Sequence, residues 1–247
     1  MLREEIYQGV TFLLVVLFFD LMERTRPAFA VSRRRQLPLN ALSLVVVIVA
    51  GELWRRVIMG GYEVLRLGTV LSGNPLHALP GAAKIFLAIV LADLSLYGVH
   101  RAMHRRLLWP THAFHHTIGE IWWLAGSRTS ATHLFLFAVP QIFIGYYLLG
   151  MTAAHAAVAF SFGVAVNLWI HTNLWVNLGP LEKLIITPNF HRIHHGARGL
   201  TNRNLGFVFT VWDRLFGTYA STDATGKDFP LLPVPTRHRL LRMIIGF

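Results

Sequence analysis

Residues 82–104 read AAKIFLAIVLADLSLYGVHRAMH, an apolar run that closes on two histidines four positions apart, His100 and His104. An apolar stretch of about 20 residues, at about 1.5 Å rise each, crosses the roughly 30 Å hydrocarbon core of a bilayer as a helix. Four comparable runs accompany it: Ile6–Met22, Leu39–Leu53, Leu134–Leu149 and Ala153–Ile170. Only Gly150, Met151 and Thr152 separate the last two, so they read as a tight helical hairpin. The first run follows MLREE, which has no net positive charge, and no small-residue cleavage site follows it, so it reads as a retained helix rather than a signal peptide. The predicted fold is all-α: an integral membrane helical bundle of about four to five spanning or re-entrant helices.

Composition agrees. The 247 residues are 54% hydrophobic and 14% charged, where soluble domains are about 45–50% and about 25%. That excludes a disordered chain and argues against a soluble enzyme. The absence of cysteine removes disulfides, thiolate zinc sites and cysteine nucleophiles. The formal charge of +11 is concentrated in three regions. Arg24, Arg26, Arg33, Arg34 and Arg35 fall between the first two runs; Arg101, Arg105, Arg106 and Arg128 follow the third; nine Lys or Arg, from Lys183 to Arg242, follow the fifth. The opposite side is read as carrying only Arg3 and Arg66. By the positive-inside rule the three basic regions face the cytoplasm, so the charge reports orientation and contact with anionic lipid, not nucleic acid.

Nine of the 13 histidines fall in a pattern. His100 and His104 form H-x-x-x-H, and His112, His115 and His116 form H-x-x-H-H in WPTHAFHH. His191, His194 and His195 repeat H-x-x-H-H in PNFHRIHH, and His171 ends the fifth run. Residues three and four apart share a helix face, so each group aims its imidazoles one way, as chelation requires. His77, His155 and His238 read as ordinary structural histidines. All nine patterned histidines sit at one edge of the bundle, predicting a cytosolic histidine-rich helical cap. Their number exceeds what one ion takes at four to six ligands, which implies two. Imidazole suits Zn, Cu, Fe and Ni, and Asp93, Glu120 and Glu182 are the only acids between residues 90 and 200, so a hard-cation site is disfavoured. Spacing leaves iron against zinc open.

Asp93 lies seven and eleven residues before His100 and His104, on their helical face inside an apolar run. An intramembrane acid is a functional candidate by default, and it is read as a partner of the histidines. Trp122, Trp123, Phe135, Phe137 and Trp169 are read as lining a lipid path, with Trp122 and Trp123 better placed as an interfacial belt. Trp212, Asp213, Phe216 and Tyr219 are expected to fold the tail under the histidines, with Asn204 and Asp213 as candidate hydrogen-bond partners of the metal-binding rings.

DLSLYGVHRAMH, WPTHAFHH, WIHTNLWVNLGPLE, TPNFHRIHH and NLGFVFTVWDRLFGTY, spanning about Asp93 to Tyr219, together resemble the fatty acid hydroxylase/sterol desaturase superfamily of membrane di-iron enzymes, and most closely its alkylglycerol monooxygenase-like branch. The resemblance implies two iron ions (zinc being an ion that can replace them in a purified sample), O2 as co-substrate and oxidation of a lipid C–H bond. The lipid would be a sterol, a fatty acyl chain or an ether lipid. It carries the ligand role onto His100, His104, His112, His115, His116, His171, His191, His194 and His195. Asn167 stands where some relatives have a further histidine; it either reaches a metal through water or leaves a position open. His133 is either a tenth ligand or a residue of the substrate pocket or the packing. A separate electron donor is expected: a reductase, ferredoxin, cytochrome or pterin. Residues 1–80 are read as N-terminal membrane helices and loops without a recognised motif, 81–220 as the catalytic domain and 221–247 as a tail. The functional expectation is a lipid hydroxylase or monooxygenase, with a desaturase using the same site as the alternative. Rivals of other classes are a zinc-dependent membrane hydrolase, which wants one metal, three ligands and a general base, a metal transporter, which wants ligands at mid-membrane depth, and a non-catalytic scaffold.

Overall fold

The structure is a computed structural model that describes residues 2–196, 200, 202–221 and 240–247. The described elements are α1 (Leu2–Thr25), α2 (Arg33–Val64), α3 (Leu67–Val70), α4 (Gly81–Met103), α5 (Trp109–Ala113), α6 (Ala131–Ile142), α7 (Ala153–Ile170), α8 (Pro188–His194), α9 (Val211–Leu215) and α10 (Leu240–Ile245). Short 3-10 turns lie between several of them, and a π-helical turn, Phe143–Leu148, extends α6. No β-strand is found among the described residues, and an antiparallel bridge joins Ile185 and Phe209. His238 and most of the expected tail, residues 222–239, lie outside the described residues.

Among the described residues four helices are long and apolar enough to cross a membrane: Arg33–Val64, Gly81–Met103, Ala131–Leu148 and Ala153–Ile170. Their outer faces carry side chains such as Ile48, 70% exposed, and Phe160, 68% exposed. Continuous apolar exposure of this kind marks a surface solvated by lipid. The chain is an all-α membrane-integrated bundle. In that setting backbone groups must be paired internally, and local sequence explains where helices start. Ser130 and Thr152 cap α6 and α7, their hydroxyls accepting from the backbone N–H of His133 and His155 at 3.1 and 3.3 Å. The predicted hairpin is present, and Gly150 makes its turn at φ +54°, where an added Cβ would meet the His77 ring at 2.8 Å. Only glycine fits there.

α2 packs along α6 by one face. Asn40, Ser43, Ala50 and Ile58 of that face are buried, and Trp54 and Tyr62 donate to the carbonyls of Ala131 and Val139 at 2.7 and 2.8 Å. α2 is longer than the apolar run that announced it, taking in Arg33–Arg35 at one end and Arg55 and Arg56 towards the other. The last two add to the sparse charge of that side, and both pair with Glu52, at 2.8 and 2.6 Å.

At the other end, α1 is tied to the loops around the histidines. Glu23, 1% exposed, accepts from the backbone N–H of Trp123 and Asn173 at 2.7 and 2.8 Å and pairs with Arg33 at 2.8 Å. This corrects the expected aromatic belt. Trp122 is 5% exposed, packed with Ile118, Ile121, Leu124 and Ala125, and the Arg33 guanidinium lies 5.2 Å over its ring. Trp123 donates its indole N–H to Asp20 at 3.0 Å. Trp122 is thus an interior residue, whereas Trp123 is half-buried and anchored by its indole to Asp20.

Candidate metal centre

Four stretches of chain meet at the end of α4. α4 itself brings His100 and His104. The segment after it, α5 and the 3-10 turn His115–Thr117, brings His112, His115 and His116. α8, started by the Thr187 hydroxyl accepting from Phe190 N–H and by Pro188 in its first turn, brings His191, His194 and His195, and His171 closes α7.

These nine side chains sort into two groups, each able to hold a metal ion: His100, His104, His112, His116 and His194 in one, and His115, His171, His191 and His195 in the other. Within each group the candidate ligand atoms lie within 4.8 Å of one another. The two H-x-x-H-H segments are split the same way. Their outer i, i+4 pairs stay together, His112 with His116 and His191 with His195, while the middle residue of each, His115 and His194, crosses to the other group. The groups adjoin: the rings of His116 and His195 are 4.6 Å apart.

Several rings are oriented from outside. His100, His115, His171 and His194 donate Nδ1–H to the carbonyls of Leu205, Arg128, Asn167 and Arg203 at 2.8, 2.9, 2.8 and 3.0 Å. A carbonyl only accepts, so each Nδ1 carries the proton and the neutral ring presents a bare Nε2 lone pair. Those lone pairs point at one another. Nε2 of His171 lies 3.4 Å from that of His115 and 3.0 Å from that of His191, and Nε2 of His195 lies 3.1 Å from both His115 and His191. In the first group Nε2 of His100 and His112 are 2.9 Å apart, and Nε2 of His104, His116 and His194 are buried without a hydrogen-bond partner. Converging unpartnered lone pairs are unfavourable alone and are relieved by a cation, so the residues fit metal ions.

Electrostatics keep the rings neutral. Burial, reinforced by the neighbouring imidazoles, holds His112, His115, His116, His191, His194 and His195 well below the usual histidine range. Burial brings His171 down to about 4, and it lowers His104 as well.

The other expected residues take different roles. His133 is in neither group; its Nδ1 lies 3.2 Å from Nδ1 of His112, and its ring 4.4 Å from Phe137. The Asn167 side chain donates to the Gly126 carbonyl at 3.0 Å, so its backbone carbonyl, not its carboxamide, serves His171. Asp93 bonds no histidine. It accepts from the backbone N–H of Phe207, Val208 and Phe209 at 3.3, 2.9 and 2.9 Å and from the Trp212 indole at 2.8 Å. It thereby fixes the loop whose Leu205 carbonyl orients His100. Asn204 and Asp213 likewise hold backbone: Asn204 donates to the carbonyls of Phe190 and Ala220, and Asp213 accepts from Leu205 and Gly206 N–H. The expected folding of the tail is present, with Phe216 stacked on Tyr97 at 5.4 Å and Tyr219 against Phe190. Of the aromatic residues read as lining a path, Phe137 reaches the histidines, whereas Phe135 packs on Trp54 and Trp169 donates to the Ile186 carbonyl. Sequence reasoning missed Asn40, Gln36 and Ser43 of α2, whose contacts with the 127–129 loop are described below; the signal was three polar residues at helical spacing in and beside an apolar run.

The fatty acid hydroxylase family model matches residues 85–218, more than half of the chain, and the match contains every histidine of both groups. The chain belongs to the fatty acid hydroxylase family. Similar proteins include an ornithine lipid hydroxylase of Rhizobium tropici, 35% identical over 161 residues that cover 60% of this chain and 47% of that protein. Alkylglycerol monooxygenases are similar too: that of Danio rerio is 34% identical over 55% of this chain and 30% of its own length, and that of Homo sapiens is 32% identical over 53% and 29%. The match thus spans about half or less of these relatives. No solved structure matches the chain at a significant level.

Proposed function

We propose that this family member is a membrane-bound non-haem di-iron oxidoreductase that uses O2 to hydroxylate or monooxygenate a C–H bond of a lipid. The observation that carries the reading is the pair of adjacent all-imidazole groups with converging, unpartnered ring nitrogens. His100, His104, His112, His116 and His194 would hold one ion, and His115, His171, His191 and His195 the other. Iron in these positions supplies O2 activation and the oxidising strength for C–H cleavage, which no side chain provides.

The chain's own residues supply placement. Backbone carbonyls at 128, 167, 203 and 205 fix ring orientation and tautomer. Burial excludes protons and bulk water from the rings. Phe137 and Phe207, with centroids 5.5 Å apart beside His100 and His133, form an apolar wall on the membrane side where an acyl or alkyl chain can lie. His133 belongs to that wall in this reading. Placing one oxygen atom of O2 in the lipid and releasing the other as water consumes two electrons and two protons, so a separate donor is required. The catalytic unit is residues 81–220, and the histidine cap faces the cytoplasm, as the basic segments indicate. The activities for which the relatives are named support a lipid of the ornithine-lipid or ether-lipid kind, within the sterol, fatty acyl and ether-lipid classes.

Comparative lipidomics of cells with and without the protein, grown with 18O2, tests this. The expected product is a lipid heavier by one labelled oxygen that disappears in His194→Ala. A lipid lighter by two hydrogens without label indicates the desaturase alternative; no change in any lipid contradicts both.

A further inference from the structure

Among the described residues Arg128 is the largest fully buried side chain, with 0% exposure. Its acceptors are neutral. Nε and Nη2 donate to Oδ1 of Asn40 at 3.1 and 2.6 Å, Nη2 to Oε1 of Gln36 at 2.8 Å, and Nη1 to the carbonyl and hydroxyl of Thr117 at 2.9 and 3.2 Å. A buried guanidinium tolerates few arrangements, because each N–H must find an acceptor in the fork's fixed plane. Beside it Ser43 accepts from Thr129 N–H at 2.8 Å and donates to the Ser127 carbonyl, and Ser127 returns a bond to the Asn40 carbonyl at 3.4 Å.

Gln36, Asn40 and Ser43 stand at i, i+4 and i+7, one face of α2. All three precede residues 85–218, the stretch matched by the family model. The part of the loop they grip is the part that orients the second histidine group: the Arg128 carbonyl receives Nδ1–H of His115, and the Gly126 carbonyl receives the Asn167 side chain one helical turn before His171.

We propose that Asn40, through Arg128, is a positioning residue for His115, so that α2 sets the metal affinity of the His115, His171, His191 and His195 group and leaves the other group untouched. The inference rests on the metal-binding reading above. His115 gains its orientation and its Nδ1–H tautomer from one carbonyl, and that carbonyl is held in place by a side chain clamped to α2. In the five-histidine group His100 and His194 take their outside orientation from Leu205 and Arg203, on a different loop anchored by Asp93 and Asp213.

The test uses full-length protein in lipid nanodiscs, stripped and titrated with cobalt(II), with metal equivalents counted by mass spectrometry and site geometry followed by the cobalt absorption spectrum. Asn40→Ala is expected to keep one equivalent at wild-type affinity and to bind the second about 10- to 100-fold more weakly, the range for loss of an outer hydrogen-bond partner. The retained equivalent should disappear on adding His194→Ala. Asn40→Asp, which keeps an acceptor for the guanidinium, should restore both. If Asn40→Ala does not fold, Gln36→Ala, which removes a single bond, should show the same selective loss to a smaller degree. Two equivalents at wild-type affinity in a folded Asn40→Ala or Gln36→Ala protein would overturn the inference, as would equal weakening of both equivalents. A wild type that binds no cobalt would overturn the metal-binding reading itself, and this inference with it.

Discussion

The two ends of the bundle both hold buried or half-buried polar groups, and they treat them oppositely. At the hairpin end Lys84, Asn74 and His77 reach the carbonyls of Gly150, Leu148 and Tyr147 at 3.0, 2.8 and 2.9 Å, pairing groups around the π-helical turn. Those donors have acceptors; the Nδ1 of His155, buried without a partner, is the exception there. At the other end nine imidazoles are gathered from four stretches of chain with nitrogen facing nitrogen. A fold that satisfies polar groups with ordinary backbone acceptors at one end, and leaves them opposed at the other, marks the second end as a place for a ligand.

Ligand removal should expose that contrast most strongly. His194→Ala, or His116→Ala, should bring turnover to background and remove one metal ion, read by metal analysis of the purified protein. His77→Ala should keep both ions and cost about 1 kcal/mol of stability, the worth of one ordinary hydrogen bond. A loss of metal in His77→Ala would erase the distinction between the ends.

Acid should separate the ends next. The buried rings have depressed pKa values, so the unfolded chain binds protons that the folded chain refuses. Stability of the metal-free protein is therefore complete above about pH 6.5, the ordinary histidine value, and falls as the pH drops towards 4. For His171, brought down to about 4, the loss is about 3 kcal/mol on its own. Thermal unfolding across that window should show the decline, and bound metal should reduce it.

Asp93 gives a smaller and more local effect. Asp93→Asn leaves a single acceptor oxygen facing three backbone N–H groups and an indole, at about 1–3 kcal/mol for each buried donor left unpaired. Because the loop it holds carries the Leu205 carbonyl, stability and metal occupancy of the His100 group should fall together, by calorimetry and metal analysis. Asn167→Ala should be the mildest of all, about 1 kcal/mol with both ions retained, because His171 is held by that residue's backbone.

These contrasts also show where the sequence was legible. Membrane-length apolar runs announced the helices because lipid leaves a chain little alternative to pairing its own backbone. The nine histidines were legible because three- and four-residue spacings put rings on one side of a helix turn. Their division was not, since the crossing of His115 and His194 depends on how a 3-10 turn and α8 dock against each other. Asp93 was visible as an intramembrane acid, but its partners lie 114 to 119 residues away, so its spacing from His100 suggested a direct contact that the loop makes instead. By sequence Arg128 is one topology charge among several; its burial by α2 is a tertiary fact. Residue type alone puts Trp122 at a lipid boundary, and burial beside Arg33 places it inside.

Both imidazole groups are expected to take up metal. Iron quantified against chain concentration, for wild type, His194→Ala and His195→Ala purified in lipid and reconstituted with iron(II) without oxygen, tests that most directly. Two ions per chain in the wild type are expected, with each variant losing the ion of its own group and keeping the other. Wild-type protein that folds yet takes up none, or one ion that survives both substitutions, would contradict it.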